Sequence, residues 1–236
     1  MDVKTRDTPG TATFFSALLG WRFAVDESDW RRATVITVGE FPIGTVSDLA
    51  APIYPPGTPA HLAFYLHVDD VDERVAAAEA GGADVVVAPF DVPGQGRLAT
   101  LIDPFGAAVS IWRPTPAVGW RHPVALPMAP HRMVLSCPRP GLVRRFYRAS
   151  LGADLQHADF VPMPDGATSP GQWQLVIPVP DLAAIADRFA RFSDNARELS
   201  MDPQLGALRV STDEGLSVYV APPPASRAAA ALARRA

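Results

Sequence analysis

One arrangement of elements recurs along this chain, and it limits the available folds more than any single motif does. It is clearest between His61 and Trp112. His61 to Val68 is an apolar run. Asp70 followed by Glu73 reads as an acidic N-cap with an acid three residues on, which opens a helix. That helix keeps Val71, Val75 and Ala78 on one face and stops at Gly81-Gly82, where a left-handed cap costs little. Ala83–Ala88, Arg97–Ile102 and Ala107–Trp112 read as strands. The loop Phe90–Gly96 joins the first pair, and the turn Asp103-Pro104-Phe105-Gly106 joins the second. A β-α-β-β-β unit cannot bury its sheet face alone, so it needs a partner copy.

The partner precedes it. Asp7 or Thr8 caps a first helix with Pro9 at its start, Phe14, Phe15, Leu18 and Leu19 on its buried side, and Gly20 at its end. Val3–Thr5 is a strand stub before it; Trp21–Val25, Ala33–Val38 and roughly Ile43–Val46 follow as strands. Residues 1–112 are therefore two units. Residues 113–130 carry five prolines and no period, and read as a linker. The pattern then restarts with a strand at His131–Ser136 and a helix from Pro140. Phe14-Phe15-x-x-x-Leu19-Gly20 matches Phe146-Tyr147-x-x-x-Leu151-Gly152. Val68-x-Asp70-Val71 matches Val179-x-Asp181-Leu182, and Gly106-x-x-Val109 matches Gly215-x-x-Val218. The spacing between matched positions shrinks by about 21 residues inside the second half. The segment Gln156–Gly171 is too short and too rich in Pro, Asp and Gly for two good strands, so residues 131–223 are a trimmed copy. After Pro222-Pro223-Pro224, residues 224–236 form an Ala/Arg tail, exposed or a short basic helix.

Composition excludes several classes. An apolar content of 48% in 236 residues supports a full core in each half. A net charge of −4 without a basic cluster points away from nucleic acid. The single cysteine, Cys137, excludes an internal disulfide framework and fits a reducing compartment. No apolar run approaches the roughly 20 residues that span a bilayer, and the N-terminus lacks the apolar core of a signal peptide. The expectation is a cytoplasmic protein with no membrane partner. Asp91-x-x-Gly94-x-Gly96 is no dinucleotide fingerprint, because a strand follows it.

Paired units with Phe-Tyr-x-x-x-Leu-Gly after the first helix and Asp-Pro-x-Gly before the last strand resemble the vicinal oxygen chelate superfamily. That superfamily includes glyoxalase I, bleomycin-resistance proteins, fosfomycin-resistance enzymes and extradiol dioxygenases. Val68-Asp69-Asp70-Val71, Gly81-Gly82, Asp91-Val92-Pro93-Gly94-x-Gly96-Arg97 and Asp103-Pro104-x-Gly106-Ala107 look closer still to its two-domain actinobacterial glyoxalase-like branch. The resemblance is dense over 7–112 and thinner over 131–223. It implies an α+β fold: tandem glyoxalase-like domains built from four βαβββ units, the last half trimmed, whose curved mixed sheets form clefts. It also implies where metal-using members place their ligands. Counted from the helix caps and the Asp-Pro-x-Gly turn, one position falls just before Met1. The others fall on Ala63 and Ser110 in the first half, and on Arg132, Gln174 and Tyr219 in the second. No His/Glu set is retained, and a divalent site needs about three or four converging donors. No metal ligand and no cofactor are expected.

The candidate site residues follow from strand parity. Tyr65 and Trp112 fall on the cleft side, and Trp112 shares its face with Ser110 and Ala108. His61 and His67 share parity with Ala63 and Tyr65. Phe90 and Arg97 bracket the Pro/Gly loop at the cleft mouth, and Arg97 can pair an acidic or phenolic oxygen. Such a pocket suits a flat aromatic or polycyclic ligand. The plainer alternatives stay open: Trp21, Trp112 and Trp173 as core residues, the histidines as a polar rim. A metal reading through His61, His67 or His131 needs a register shift. Cys137 has no base placed beside it, so no nucleophilic role is expected. The favoured function is metal-independent binding of a small aromatic or polycyclic molecule, in secondary metabolism or resistance. One alternative is a metal-independent isomerase, cyclase or hydroxylase-like enzyme using His67 or Arg97; another is a metal-dependent lyase or dioxygenase. The two copies allow a monomer with an internal pseudo-dimer, or a homodimer.

Overall fold

Helix boundaries follow the marked capping residues. In the computed structural model, which describes residues 1–27, 32–115, 122–123, 126–152, 155–163, 171–192 and 198–223, Asp7 settles the first cap. Its carboxylate accepts from the Gly10 amide and starts α1 (Thr8–Leu19). Asp70 does the same for α2 (Val71–Ala80) through the Glu73 amide, and Asp181 for α4 (Leu182–Ala190) through the amides of Ala183 and Ala184. The third helix, α3 (Pro140–Leu151), has no side-chain cap and relies on proline in its first turn. α1 and α3 both end on a left-handed glycine, Gly20 and Gly152.

Around these helices lie three sheets. β1 (Asp2–Thr5), β2 (Arg22–Val25), β3 (Thr34–Val38), β4 (Phe41–Asp48) and β5 (His61–Ala63) form the first, in the order β2-β3-β4-β1-β5. β6 (Tyr65–His67), β7 (Asp84–Val92), β8 (Gly96–Ile102) and β9 (Ala108–Pro114) form the second, in the order β6-β9-β8-β7. The run His61–Val68 is thus two short strands. β5 pairs antiparallel with β1, β6 pairs parallel with β9, and buried Phe64 marks the change of partner. The single run stitches the two sheets together.

The third sheet holds β10 (Arg132–Cys137), β11 (Ala158–Pro162), β12 (Trp173–Pro178), β13 (Glu198–Asp202), β14 (Ala207–Ser211) and β15 (Ser217–Ala221), in the order β11-β10-β12-β15-β14-β13. β11 lies parallel to β10, just as β4 lies parallel to β1. Among the described residues, no strands between α3 and β11 correspond to β2 and β3. The architecture is the expected α+β class with curved mixed sheets. Residues 116–121 and 124–125 of the proline-rich stretch, 164–170 of the shortened segment and the whole 224–236 tail lie outside the described residues. Among the described residues, no helix is long and apolar enough to cross a membrane.

One contiguous core runs through both halves. α1 packs on α4, with the Phe14 ring edge-on to Phe189 and Phe192 at 6.1 and 5.6 Å, and α2 packs on α3. Trp21 and Trp173 are core residues, as the plainer reading allowed. Trp21 stacks on Phe15 and donates to the Met128 carbonyl at 2.7 Å. Trp173 donates to the Tyr147 hydroxyl at 3.0 Å, and Tyr147 donates in turn to Asp103 at 2.8 Å. Asp103 is only 3% exposed. Its other oxygen accepts the amides of Phe105 and Ala107, which fixes the Asp-Pro-x-Gly turn. Tyr147→Phe leaves Asp103 and the Trp173 indole each one partner short. The expected cost is about 1–3 kcal/mol, read as a fall in the urea midpoint; an unchanged midpoint refutes this role.

Candidate functional site

Strand pairing across the first two sheets gathers one polar row on the face turned away from the helices. Asp2 lies between Thr45 on β4 and Ala63 on β5, and Lys4 between Ser47 and His61. Beyond the break at Phe64, Tyr65 stands beside Ser110, and Ser110 beside Thr100; His67 stands beside Trp112, and Trp112 beside Leu98. A cavity of about 1110 Å³ opens over this face, lined among others by Asp2, Thr45, Ser47, Tyr54, Tyr65, His67, Leu98 and Trp112. Its remaining wall comes from the second half, from His131 and Arg132 at the start of β10 and from Gln156 and His157 ahead of β11. The rings of His131 and His157 lie 6.4 Å apart.

The structure brings some of the expected site residues together and separates others. Tyr65, His67 and Trp112 all line the cavity, with the Tyr65 and Trp112 rings edge to face at 6.1 Å. Ser110 shares their face but is buried, its hydroxyl 2.9 Å from that of Thr100. His61 keeps the expected parity, yet its ring is turned to the Pro59 carbonyl and stays outside the cavity wall. Phe90 is 44% exposed on the edge strand β7 and also lies outside the wall. Arg97 is one residue out of phase with Leu98, so its guanidinium turns to the helix side. There it grips both oxygens of Asp72 on α2 at 2.7 and 2.8 Å and pairs with Asp91 across the hairpin at 3.2 Å. Arg97 therefore lies outside the cavity wall, since it alternates with Leu98, the residue that pairs with Trp112. The Cys137 thiol is buried, and burial first, then the Asp103 charge, pushes it up to about 11.

Spacing did not mark the residues that dominate the site's electrostatics. Asp2 and Lys4 form an ion pair at 2.8 Å with side chains only 7% and 15% exposed. The Asp2 carboxylate also accepts from Ser47 at 2.8 Å and from Thr45 at 3.1 Å. Lys4 donates to the Tyr54 hydroxyl at 3.1 Å and lies over that ring. Burial opposes its charge, but the neighbouring Asp2 holds its pKa above the ordinary lysine value. Burial, reinforced by the Asp2 charge, pushes the Tyr65 hydroxyl up to about 12.

This donor set does not fit a divalent metal. The positions that the family resemblance assigns to ligands carry Ala63 and Ser110 in one half. In the other, Arg132 pairs with Asp159, the Gln174 carbonyl accepts from Ser217, and Tyr219 donates to Asp202. Among the described residues, no three His, Cys, Asp or Glu side chains are grouped closely enough to hold a metal ion. The nearest carboxylate, Asp2, already carries an ammonium.

Comparison with known proteins places this geometry. Residues 1–112 match the model of the glyoxalase-like domain family. The anthracycline biosynthesis protein DauV of Streptomyces sp. (strain C5) is 30% identical over 162 residues, which cover 64% of this chain and 58% of DauV. This chain therefore spans less than two thirds of that relative. Among solved structures, the Mn(II)-bound glyoxalase from Novosphingobium aromaticivorans superposes with a TM-score of 0.57 at 13% identity, over 93% of this chain and 79% of that one. An extradiol ring-cleaving dioxygenase from B. fuscum superposes with a TM-score of 0.59 at 14% identity, over 93% and 69%. At such identities the likeness is one of fold.

The Tyr65 shift has a consequence for stability. A hydroxyl whose folded-state pKa lies above its ordinary value of 10 stabilises the fold fully below that pH and loses its contribution as pH rises toward about 12. Tyr219, also pushed up to about 12 by burial first, acts in the same direction. Tyr65→Phe should therefore flatten, without abolishing, the alkaline fall in the denaturation midpoint above pH 10. Identical slopes in the two proteins would show that Tyr65 ionises freely.

Proposed function

We propose that this chain, a member of the vicinal oxygen chelate superfamily with a glyoxalase-like domain at residues 1–112, binds a flat aromatic or polycyclic small molecule in its cavity. Binding uses no metal ion, and the setting is secondary metabolism. The observation that carries this reading is the Tyr65–Trp112 pair on the wall of a 1110 Å³ cavity. Cavities for drug-sized ligands run to roughly 1,000 Å³, so several fused rings fit. Rings gain by offset or edge-to-face contact with such a wall. The similarity to a protein named for anthracycline biosynthesis supports the class of ligand, and the donor set supports the absence of a metal.

A second reading, metal-independent turnover of the same class of ligand, is favoured by Asp2 and Tyr65, which place a carboxylate and a phenol at the cavity wall. Mass analysis of the ligand after incubation separates the two readings: an unchanged ligand supports binding alone.

The test is calorimetric titration of chelator-treated protein with 2-hydroxyanthraquinone. Saturable one-to-one binding is expected, unchanged by added Mn(II), Fe(II) or Zn(II). Trp112→Ala should weaken it about tenfold, the usual scale for removing a central aromatic contact. Absence of saturable binding, or binding only after metal is added, overturns the proposal.

A further inference from the structure

The second half's side of the cavity holds a charged donor that its neighbours do not use up. Met133, Leu135 and Cys137 of β10 are buried toward the core, so Arg132 belongs to the opposite face. Asp159 on β11 stands beside Val134 and shares that face. There its carboxylate accepts from Nε of Arg132 at 2.9 Å and from Nη2, which fixes the plane of the guanidinium. Nη1 carries two more N–H groups. Among the described residues it makes no hydrogen bond. Arg132 lines the cavity with its side chain 37% exposed. His157 is next to it in register, because the Met133 amide donates to the His157 carbonyl. Its ring also lines the cavity and makes no hydrogen bond among the described residues. The first half's wall is different. There Asp2 is answered by Lys4, Thr45 and Ser47, and Ser110 by Thr100.

We infer that Arg132 is a specificity-determining residue that selects polycyclic ligands bearing a carboxylate. The rings lie against Tyr65 and Trp112, and the carboxylate accepts from Nη1 of Arg132 and from the His157 imidazole. A guanidinium is a planar fork whose edges each match a carboxylate. With one edge held by Asp159, the other points in a fixed direction. Less rotamer freedom is then lost when a ligand arrives, and that loss is one of the main costs of binding. A carboxamide in the same place offers one acceptor in place of two. Its NH2 group is a donor turned against donors, and the bond loses the charge on the ligand's side. The inference rests on the proposed binding of polycyclic ligands and adds the acidic substituent they carry.

The experiment compares anthraquinone-2-carboxylate, anthraquinone-2-carboxamide and 2-hydroxyanthraquinone by calorimetry on the full chain at pH 7. The carboxylate should bind about tenfold more tightly than the carboxamide, the scale of one net hydrogen bond to a charged group. The ratio is taken within each protein, so a general weakening of the cavity cancels. Arg132→Gln, which keeps a donor for Asp159, should bring the ratio to about one. Arg132→Lys keeps the charge without the fork and should retain about threefold. Equal binding of carboxylate and carboxamide by the unaltered protein overturns the inference and leaves the proposed function standing. A tenfold ratio that survives in Arg132→Gln overturns the role of Arg132. Loss of all binding in both variants overturns it as well, since Arg132 would then hold the cavity together rather than choose its ligand. Failure of all three compounds to bind the unaltered protein overturns the proposed function and the inference together.

Discussion

A buried carboxylate joins the two halves of this molecule, and the cavity depends on that joint. Asp103 sits in the turn that closes the first half, and its partner Tyr147 stands on α3 of the second. Burying such a group is costly unless every lone pair is met. Here two backbone amides and one phenol meet it, with Trp173 behind the phenol. The matching turn of the second half carries Glu214, which returns the contact to the first half at Thr5 and to the amides of Arg6 and Asp7 ahead of α1. With α1 on α4 and α2 on α3, each half is pinned at two places. That pinning lets His131 and His157 complete a wall whose floor belongs to the first half.

The short connection between α3 and β11 has a structural consequence. Without counterparts of β2 and β3, β11 pairs only with β10 among the described strands. Where β4 continues into a hairpin, β11 is an edge, and an unpaired edge needs cover or polarity. The residues that lead into it, Gln156 and His157, are polar and face the cavity. The His157 carbonyl still accepts from Met133 at 2.8 Å, which fixes the approach of this segment to β10. The segment leading into this edge strand thus contributes to the cavity wall.

Much of the fold was legible because its signals are local. Capping aspartates, glycine stops and the Asp-Pro-x-Gly turn act within four residues of themselves, so Asp70, Asp181, Gly20 and Gly152 could be placed from spacing alone and the first cap narrowed to Asp7 or Thr8. Tyr65, His67 and Trp112 were legible for a similar reason, since alternation along a strand fixes a face. Arg97 was placed by its position beside the loop; the pairing of Leu98 with Trp112 puts Arg97 on the opposite face, where the guanidinium finds Asp72. Asp2 and Lys4 were missed because a four-residue strand looks like a stub in sequence. Their importance appears only when the parallel pairing of β1 with β4 brings Thr45 and Ser47 some forty residues back to them.

That pairing also decides the chemistry of the row. Coulomb energy between unit charges about 3 Å apart is several kcal/mol even at an effective dielectric near 20, and Lys4 lies 2.8 Å from the Asp2 oxygen. A divalent ion brought to that carboxylate would have to displace or repel the ammonium, with only hydroxyls, an alanine and a tyrosine at the neighbouring positions to compensate. The same ammonium has the opposite effect on a neutral ligand. It neutralises the carboxylate beside the cavity, so a flat neutral ring meets the Tyr65–Trp112 wall with no unpaired charge next to it. A row that serves a metal badly suits an uncharged ring, for the same electrostatic reason.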